Sequence, residues 1–286
     1  MANRKYQCKL KADKIRITDK IYIKIPTVSE VLDNEPTYYS ITYNLTSSPY
    51  QQMVHLDDMG IDYSKISEWE LFLQTFYSYS ASITQSKENI EELSKVLKED
   101  TIDDAEKIKA VNEIQNLNDY IEDTLNGFEL VFGDLQIEGF NIYKDTNLNE
   151  TILYNKSTDT RIDKLTYLEI SKTIRDINLY EHVKAKPGNE NAKKYLLDRE
   201  RKKLKRAARK PYEPYLEKLV IALVNTSEFP YNYETCMDLS LYNFNQSFKQ
   251  IQHKIEFDNT MIGVYAGTVN TEKMTDKSAL SWIQSK

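Results

Sequence analysis

Two cysteines, seven glycines, seven prolines and three histidines are spread over 286 residues, and no long apolar run occurs anywhere. Cys8 and Cys236 lie far apart and neither belongs to a Cys-x-x-Cys pair, so no disulfide framework or zinc site is indicated, and reduced, buried thiols are expected. The glycines fall into neither G-x-G-x-x-G nor G-x-x-x-x-G-K-[ST], which removes the backbone cradles that hold phosphate. There is no G-x-S-x-G elbow and no H-E-x-x-H helix. His55, His182 and His253 share no local spacing; His55 beside Asp57 and Asp58 is a local cluster with metal-ligand chemistry, and its ordinary reading is a solvated helix end. Nothing approaches the roughly 20 apolar residues that cross a bilayer, and the first residues carry no apolar signal core. Membrane insertion, nucleotide hydrolysis and acyl transfer are therefore disfavoured, and the sequence predicts no catalytic centre, no cofactor and no metal.

What is present is charge and tyrosine. The net charge is −6, unevenly spread: Lys193 to Lys210 holds ten basic and two acidic residues, leaving 28 basic against 42 acidic elsewhere. A basic segment on an acidic body is the main electrostatic clue. Lys87 to Thr124 is its opposite, with twelve acidic and five basic residues and neither glycine nor proline. Ile90, Leu93 and Leu97 form one apolar stripe there and Ile114, Leu117 and Ile121 another, which predicts an acidic helical hairpin inserted at 86–124, with Thr101 and Asp104 as a cap between its arms.

Periodicity predicts the rest of an α+β fold: an N-terminal antiparallel sheet with short helices, the hairpin insertion, and a mainly helical C-terminal half. Tyr6 to Leu10, Ile15 to Ile17 and Ile21 to Ile25 alternate as strands. Thr27 with Glu30 makes a capping box for a short helix. Tyr38 to Leu45, aromatic and β-branched, reads as a strand, as do Phe128 to Phe132, Gln136 to Tyr143 and Thr151 to Tyr154, which are expected to complete the first sheet. Ser48-Pro49 predicts a helix start with Gly60 as its stop, and Ser67 with Glu70 another, running to about Tyr79. Pro187-Gly188-Asn189 is the clearest linker and divides a mixed domain, 1–186, from a helical region, 189–286. Within that region a basic helix over 191–210 is held by a thin stripe of Leu197, Leu204 and Ala208, and Tyr215 to Val224 forms an apolar helix. A long helix over 233–257 follows, because Met237, Leu241, Phe244, Phe248, Ile251 and Ile255 recur at alternating spacings of four and three. A compact tail through Trp282 is expected to fold back over its end.

Two surfaces emerge as interaction sites. On the basic helix, Arg199, Lys202, Lys203, Lys205, Arg206 and Arg209 could face a phosphate backbone or an acidic protein surface, the hairpin being a natural counterpart. Near the C-terminus, Tyr242, Phe244, Phe248, Tyr265 and Trp282 are the partner-binding residues, since aromatic side chains are enriched at interfaces.

Ile23-Lys-Ile-Pro26-Thr27, Tyr38-Tyr39-Ser40, Leu45-Thr-Ser-Ser-Pro49 and Gly60-Ile-Asp-Tyr63, with Phe248-x-x-Ile251, Gly263-x-Tyr265-x-Gly267 and Trp282 at the far end, resemble tail and baseplate morphogenesis proteins of tailed phages and prophages of Gram-positive bacteria. The resemblance covers both ends of the chain and no catalytic motif. It implies a structural or assembly protein of the tail or baseplate with other tail or baseplate proteins as partners, a homo-oligomer as a further association, and a place in the host cytoplasm during assembly or in the virion. The alternative is a cytoplasmic nucleic-acid-binding protein that uses the basic helix 191–210.

Overall fold

The computed structural model describes residues 7–98, 103–145, 150–275 and 277–283. It is an α+β protein with a small N-terminal sheet and a mainly helical C-terminal half, as the periodicity predicts. β1 (Lys14–Arg16) and β2 (Tyr22–Lys24) pair antiparallel with Ile15 opposite Ile23. The alternation buries Ile15, Ile17, Ile21, Ile23 and Ile25 on one face. The expected first strand is corrected: Tyr6 lies outside the described residues, Lys9–Lys11 form a 3-10 turn, and Cys8 is exposed while Cys236 is buried. Strand pairing requires a second chain segment beside it, and among the described residues this sheet holds only β1 and β2.

α1 (Val28–Asp33) begins with the predicted box, the Glu30 amide donating to Thr27 Oγ1 and the Thr27 amide to a Glu30 carboxylate oxygen. α2 (Glu35–Thr46) replaces the strand expected over Tyr38 to Leu45. Tyr38, Ile41, Thr42 and Leu45 are all buried, and their spacings of three, four and seven mark one helical face, which outweighs β propensity. Ser48-Pro49 leads through a turn into α3 (Met53–Asp58), stopped at Gly60 with φ +73°.

α4 (Glu68–Val96) starts at the Ser67–Glu70 capping box and runs well past Tyr79, and α5 (Asp104–Phe132) returns beside it. The acidic hairpin is thus the outer portion of two helices whose inner ends form the core. Phe128 to Phe132 is helical because the stripe through Ile121 continues in register to Thr124, Phe128 and Val131, all buried. Phe76 meets Phe128, Phe132 and Phe140 edge to face with centroids 5.9, 6.0 and 5.1 Å apart. Thr101 of the expected cap lies outside the described residues, and Asp103 occupies the N-cap position. Of the described residues in 91–117 Ala110 alone is buried. Replacing 91–117 with a short glycine-serine linker should therefore preserve one cooperative thermal transition; loss of cooperativity in calorimetry would show that the arms are needed by the core.

β3 (Phe140–Asp145), β4 (Glu150–Asn155) and β5 (Thr160–Ile162) form a second, separate antiparallel sheet rather than completing the first. The long helices α4 and α5 intervene, and the Phe140 amide donates to Ser80 Oγ at 3.2 Å, fixing this sheet on α4. α6 (Lys164–Asn178) is capped by Asp163, which accepts from the Thr166 amide at 2.8 Å. It buries Ile170, Ile174 and Ile177 and leaves Leu165 and Leu168 exposed.

After the Pro187-Gly188 linker come α7 (Glu190–Ala207), α8 (Tyr215–Val224), α9 (Tyr233–Met237) and α10 (Leu241–Tyr265). The single helix expected over 233–257 is corrected to α9 and α10, because Ser240 takes extended backbone and its hydroxyl accepts from the Asn243 amide as a fresh N-cap. The division at 186/189 does not separate two cores. Val28, Ile41, Phe76 and Ile174 share one cluster with Leu216, Val220, Phe229, Cys236 and Phe244. A bridge between Thr27 and Ser240 joins segments far apart along the chain, with the Val28 amide donating to Leu239 O at 2.9 Å and the Leu241 amide to Pro26 O at 2.7 Å.

Candidate interaction surfaces

α7 starts where Asn189 Oδ1 accepts from the Ala192 amide at 2.8 Å. Its inner face carries Lys193, Leu197 and Arg201, spaced by four. Leu197 is buried in a small second core with Met53, Val54, Leu56 and Tyr63. Lys193 Nζ reaches Asp62 at 2.7 Å and lies 5.7 Å from the Tyr63 ring centroid. Arg201 forks between Asp57 and Asp58, at 2.6 Å to each. These carboxylates are the acidic match for the basic helix, in place of the hairpin. They also remove the His55–Asp57–Asp58 cluster from consideration as a metal site, since both acids are taken by a guanidinium. The Lys193 ammonium, with the Ser64 hydroxyl and amide, holds the Asp62 carboxyl well below the usual carboxylate range. Because the folded value is depressed, this pairing contributes its full stability at neutral pH, and that contribution is lost as pH falls through and below the ordinary carboxylate range.

The outer face of α7 carries Tyr195, Arg199, Lys202 and Arg206 at spacings of four, three and four, all exposed, with Arg209 just beyond the helix end. Lys203 pairs with Glu200 at 3.0 Å. Among the described residues, Arg199, Lys202, Lys205, Arg206 and Arg209 form no salt bridge. The expected holding stripe is shorter than predicted: Leu204 and Ala208 are exposed, because α3 ends and the last turns of α7 extend past it.

The C-terminal residues divide by burial. Phe244 is fully buried, edge to face with Phe229 at 6.1 Å, and is therefore corrected from a partner-binding residue to a core one. Tyr242 and Phe248 are half-buried against the same core, with Lys9 Nζ 5.7 Å from the Tyr242 ring centroid. Tyr265 is 82% exposed and Trp282 60%, and Ile255, Ile262 and Ile283 are exposed as well. The tail does return along α10. Gln250 Nε2 donates to Trp282 O at 2.6 Å, and the His253 ring nitrogen Nε2 lies 2.7 Å from Ser281 O.

The Gly263-x-Tyr265-x-Gly267 motif gains a physical meaning here, as the C-terminal stop of α10. Gly267 has φ +72°, and the Thr268 and Val269 amides both donate to Gly263 O, at 2.9 and 3.1 Å. A Cβ on Gly263 would lie 2.7 Å from Val269 Cγ2, so a bare backbone lets the reversed chain pass. Tyr265 sits between the two glycines with its ring in solvent. Sequence reasoning missed Asp57, Asp58 and Asp62 as partners of α7; the available signal was the spacing of Lys193 and Arg201 on one face together with three acids within six residues.

Residues 205–285 match the model of a phage- and prophage-associated family described as the YomV second domain. The match begins in the last turns of α7 and takes in α8, α9, α10 and the returning tail, well under half of the chain. No curated protein and no solved structure matches the chain. Among the described residues, no helix is long and apolar enough to cross a membrane.

Proposed function

We propose that this protein is a structural or assembly component of a phage tail or baseplate and acts through protein contacts. The observation that carries the reading is that the phage-associated match falls on the very segment where Ile255, Ile262, Tyr265 and Trp282 are left outside the core. Large apolar side chains left on a surface favour association. No catalytic step belongs to this reading. Size-exclusion chromatography with light scattering, followed by capture from phage-producing cells, tests it. Co-purification with tail or baseplate proteins is expected, and changing Ile262 and Tyr265 to Ser should reduce capture without moving the melting midpoint. A strict monomer that captures no virion protein would overturn the proposal.

The free cations on the outer face of α7, with Tyr195 among them, favour a second reading as a nucleic-acid binder. Changing Lys202, Lys203, Lys205 and Arg206 to Gln keeps helix propensity nearly constant while removing the charge. A nucleic-acid binder would then lose affinity and show a shallower salt dependence, because fewer counterions leave the phosphates. The expected result is weak wild-type binding to DNA and RNA, with the substitutions weakening contacts to acidic protein surface instead. Tight wild-type binding by filter retention at about 0.15 M salt, where loose attraction is already screened, would reverse the ranking of the two readings.

A further inference from the structure

α2, the end of α6, the start of α8 and the first turns of α10 leave a cavity of about 600 Å³ between them, a volume typical of ligand pockets. Tyr39, Tyr43, Tyr180, Tyr212 and Tyr215 line it together with Glu35. Local backbone places the third of these rings. Leu179 ends α6 in the left-handed region at φ +56°, which turns the chain so that the Tyr180 hydroxyl lies 2.9 Å from Thr42 Oγ1 and its ring meets Tyr43 at 85°, centroids 6.5 Å apart. Left-handed backbone is unfavourable for a residue with a Cβ, so the turn is held by its contacts.

The charged side chains that line the cavity, Glu35 and Glu213, are both acidic. Glu35 is 3% exposed, and its Oε1 accepts from the amides of Tyr215 and Leu216 at 2.7 and 3.0 Å. Those amides are the first of α8, whose positive end supports the carboxylate without fully cancelling it. Glu213, also lining the cavity, is paired with Lys218. Among the described residues, no Lys, Arg or His lines the cavity and none forms an ion pair with Glu35. An anion would meet Glu35 unfavourably, and a purely aliphatic group would leave the buried negative charge without a counter-ion. A flat or rounded cation is favoured on both counts, since aromatic faces attract positive charge and the buried carboxylate supplies a counter-ion.

We propose that this cavity binds an organic cation, a guanidinium or alkylammonium group seated against the tyrosine rings with Glu35 as its counter-charge. The site does not depend on the tail or baseplate reading. The cation could come from a basic side chain of a partner protein or from a free small molecule, and titration calorimetry separates these. The probes are an arginine-containing hexapeptide, N-acetylarginine amide, choline and inorganic phosphate. Saturable heat is expected from the cations and none from phosphate. A peptide that binds roughly tenfold or more tightly than the amide, a difference of about 1.4 kcal/mol, points to a protein partner; equal binding, or choline alone, points to a small molecule. Combining Tyr43→Ala with Tyr215→Ala, both at exposed rings, should weaken the cation roughly tenfold while the melting midpoint stays in place. Glu35→Gln keeps an oxygen to accept the α8 amides and should weaken the cation while sparing the fold. Absence of saturation by every cation, an affinity unchanged in both variants, or phosphate binding as tightly as the cations would overturn the proposal.

Discussion

Phe244→Ala should lower unfolding free energy by about 3–5 kcal/mol, the usual loss for deleting a fully buried aromatic ring. Phe244 has no exposed surface, and its ring closes on Phe229 where α8, α9 and α10 converge. Truncation removes the buried area and leaves a cavity that the helices around it can only partly fill. Phe248→Ala, one turn on and half-buried, should cost less, about 1–2 kcal/mol by the area it covers. Urea unfolding of both purified variants checks the order. An unchanged midpoint for Phe244→Ala would mean that α10 is not seated in the core. A larger loss for Phe248 than for Phe244 would place the centre of packing further along the helix.

Gly127→Val should destabilise by about 1–3 kcal/mol, the range for overpacking a filled interior. An added Cβ at this position would sit 2.5 Å from Ile41 Cδ1 and 2.7 Å from Thr37 Cγ2. α5 therefore lies against α2 with no room for a side chain. Replacing glycine inside a helix would by itself gain somewhat less than 1 kcal/mol, as valine is a better helix former than glycine. The clash wins because Ile41 is buried and cannot swing into solvent. Gly127→Ala balances the two effects more closely and should change stability less than valine does. Equal thermal midpoints for wild type and Gly127→Val would show that α2 and α5 are not in contact here.

These two substitutions also mark where the sequence was legible. The elements with their own local signals were read correctly: the capping box at Thr27, the helix start at Ser67, the isoleucine alternation of β1 and β2, and α8 residue for residue. Errors fell where composition and spacing disagree. Tyr38 to Leu45 and Phe128 to Phe132 are rich in strand-forming residue types, yet each fills one helical face, and only packing against each other across Gly127 decides the matter. The break at Ser240 was hidden because Met237 and Leu241 keep the heptad spacing straight through it. For the surfaces, the charge of α7 was plain, while its partners were not, since Asp57, Asp58 and Asp62 are brought beside it by the small core around Leu197. The cavity tyrosines were invisible for the same reason: they come from three separate stretches, and nothing in the sequence links Tyr39 to Tyr180 or Tyr212.

The Thr27–Ser240 bridge has a consequence for biosynthesis. Pro26 and Val28 take their backbone partners from Leu241 and Leu239, so a ribosome must release the whole intervening polypeptide before these groups are satisfied. During that interval the flank of the first sheet, with Ile25 and Val28 beside it, is uncovered. Contacts so distant along the chain slow the final step of folding, and an exposed apolar flank invites capture by chaperones or by other nascent chains. A truncated product ending before α10 would carry that uncovered flank permanently and would accumulate as aggregate, whereas a chain that continues through Leu241 covers it.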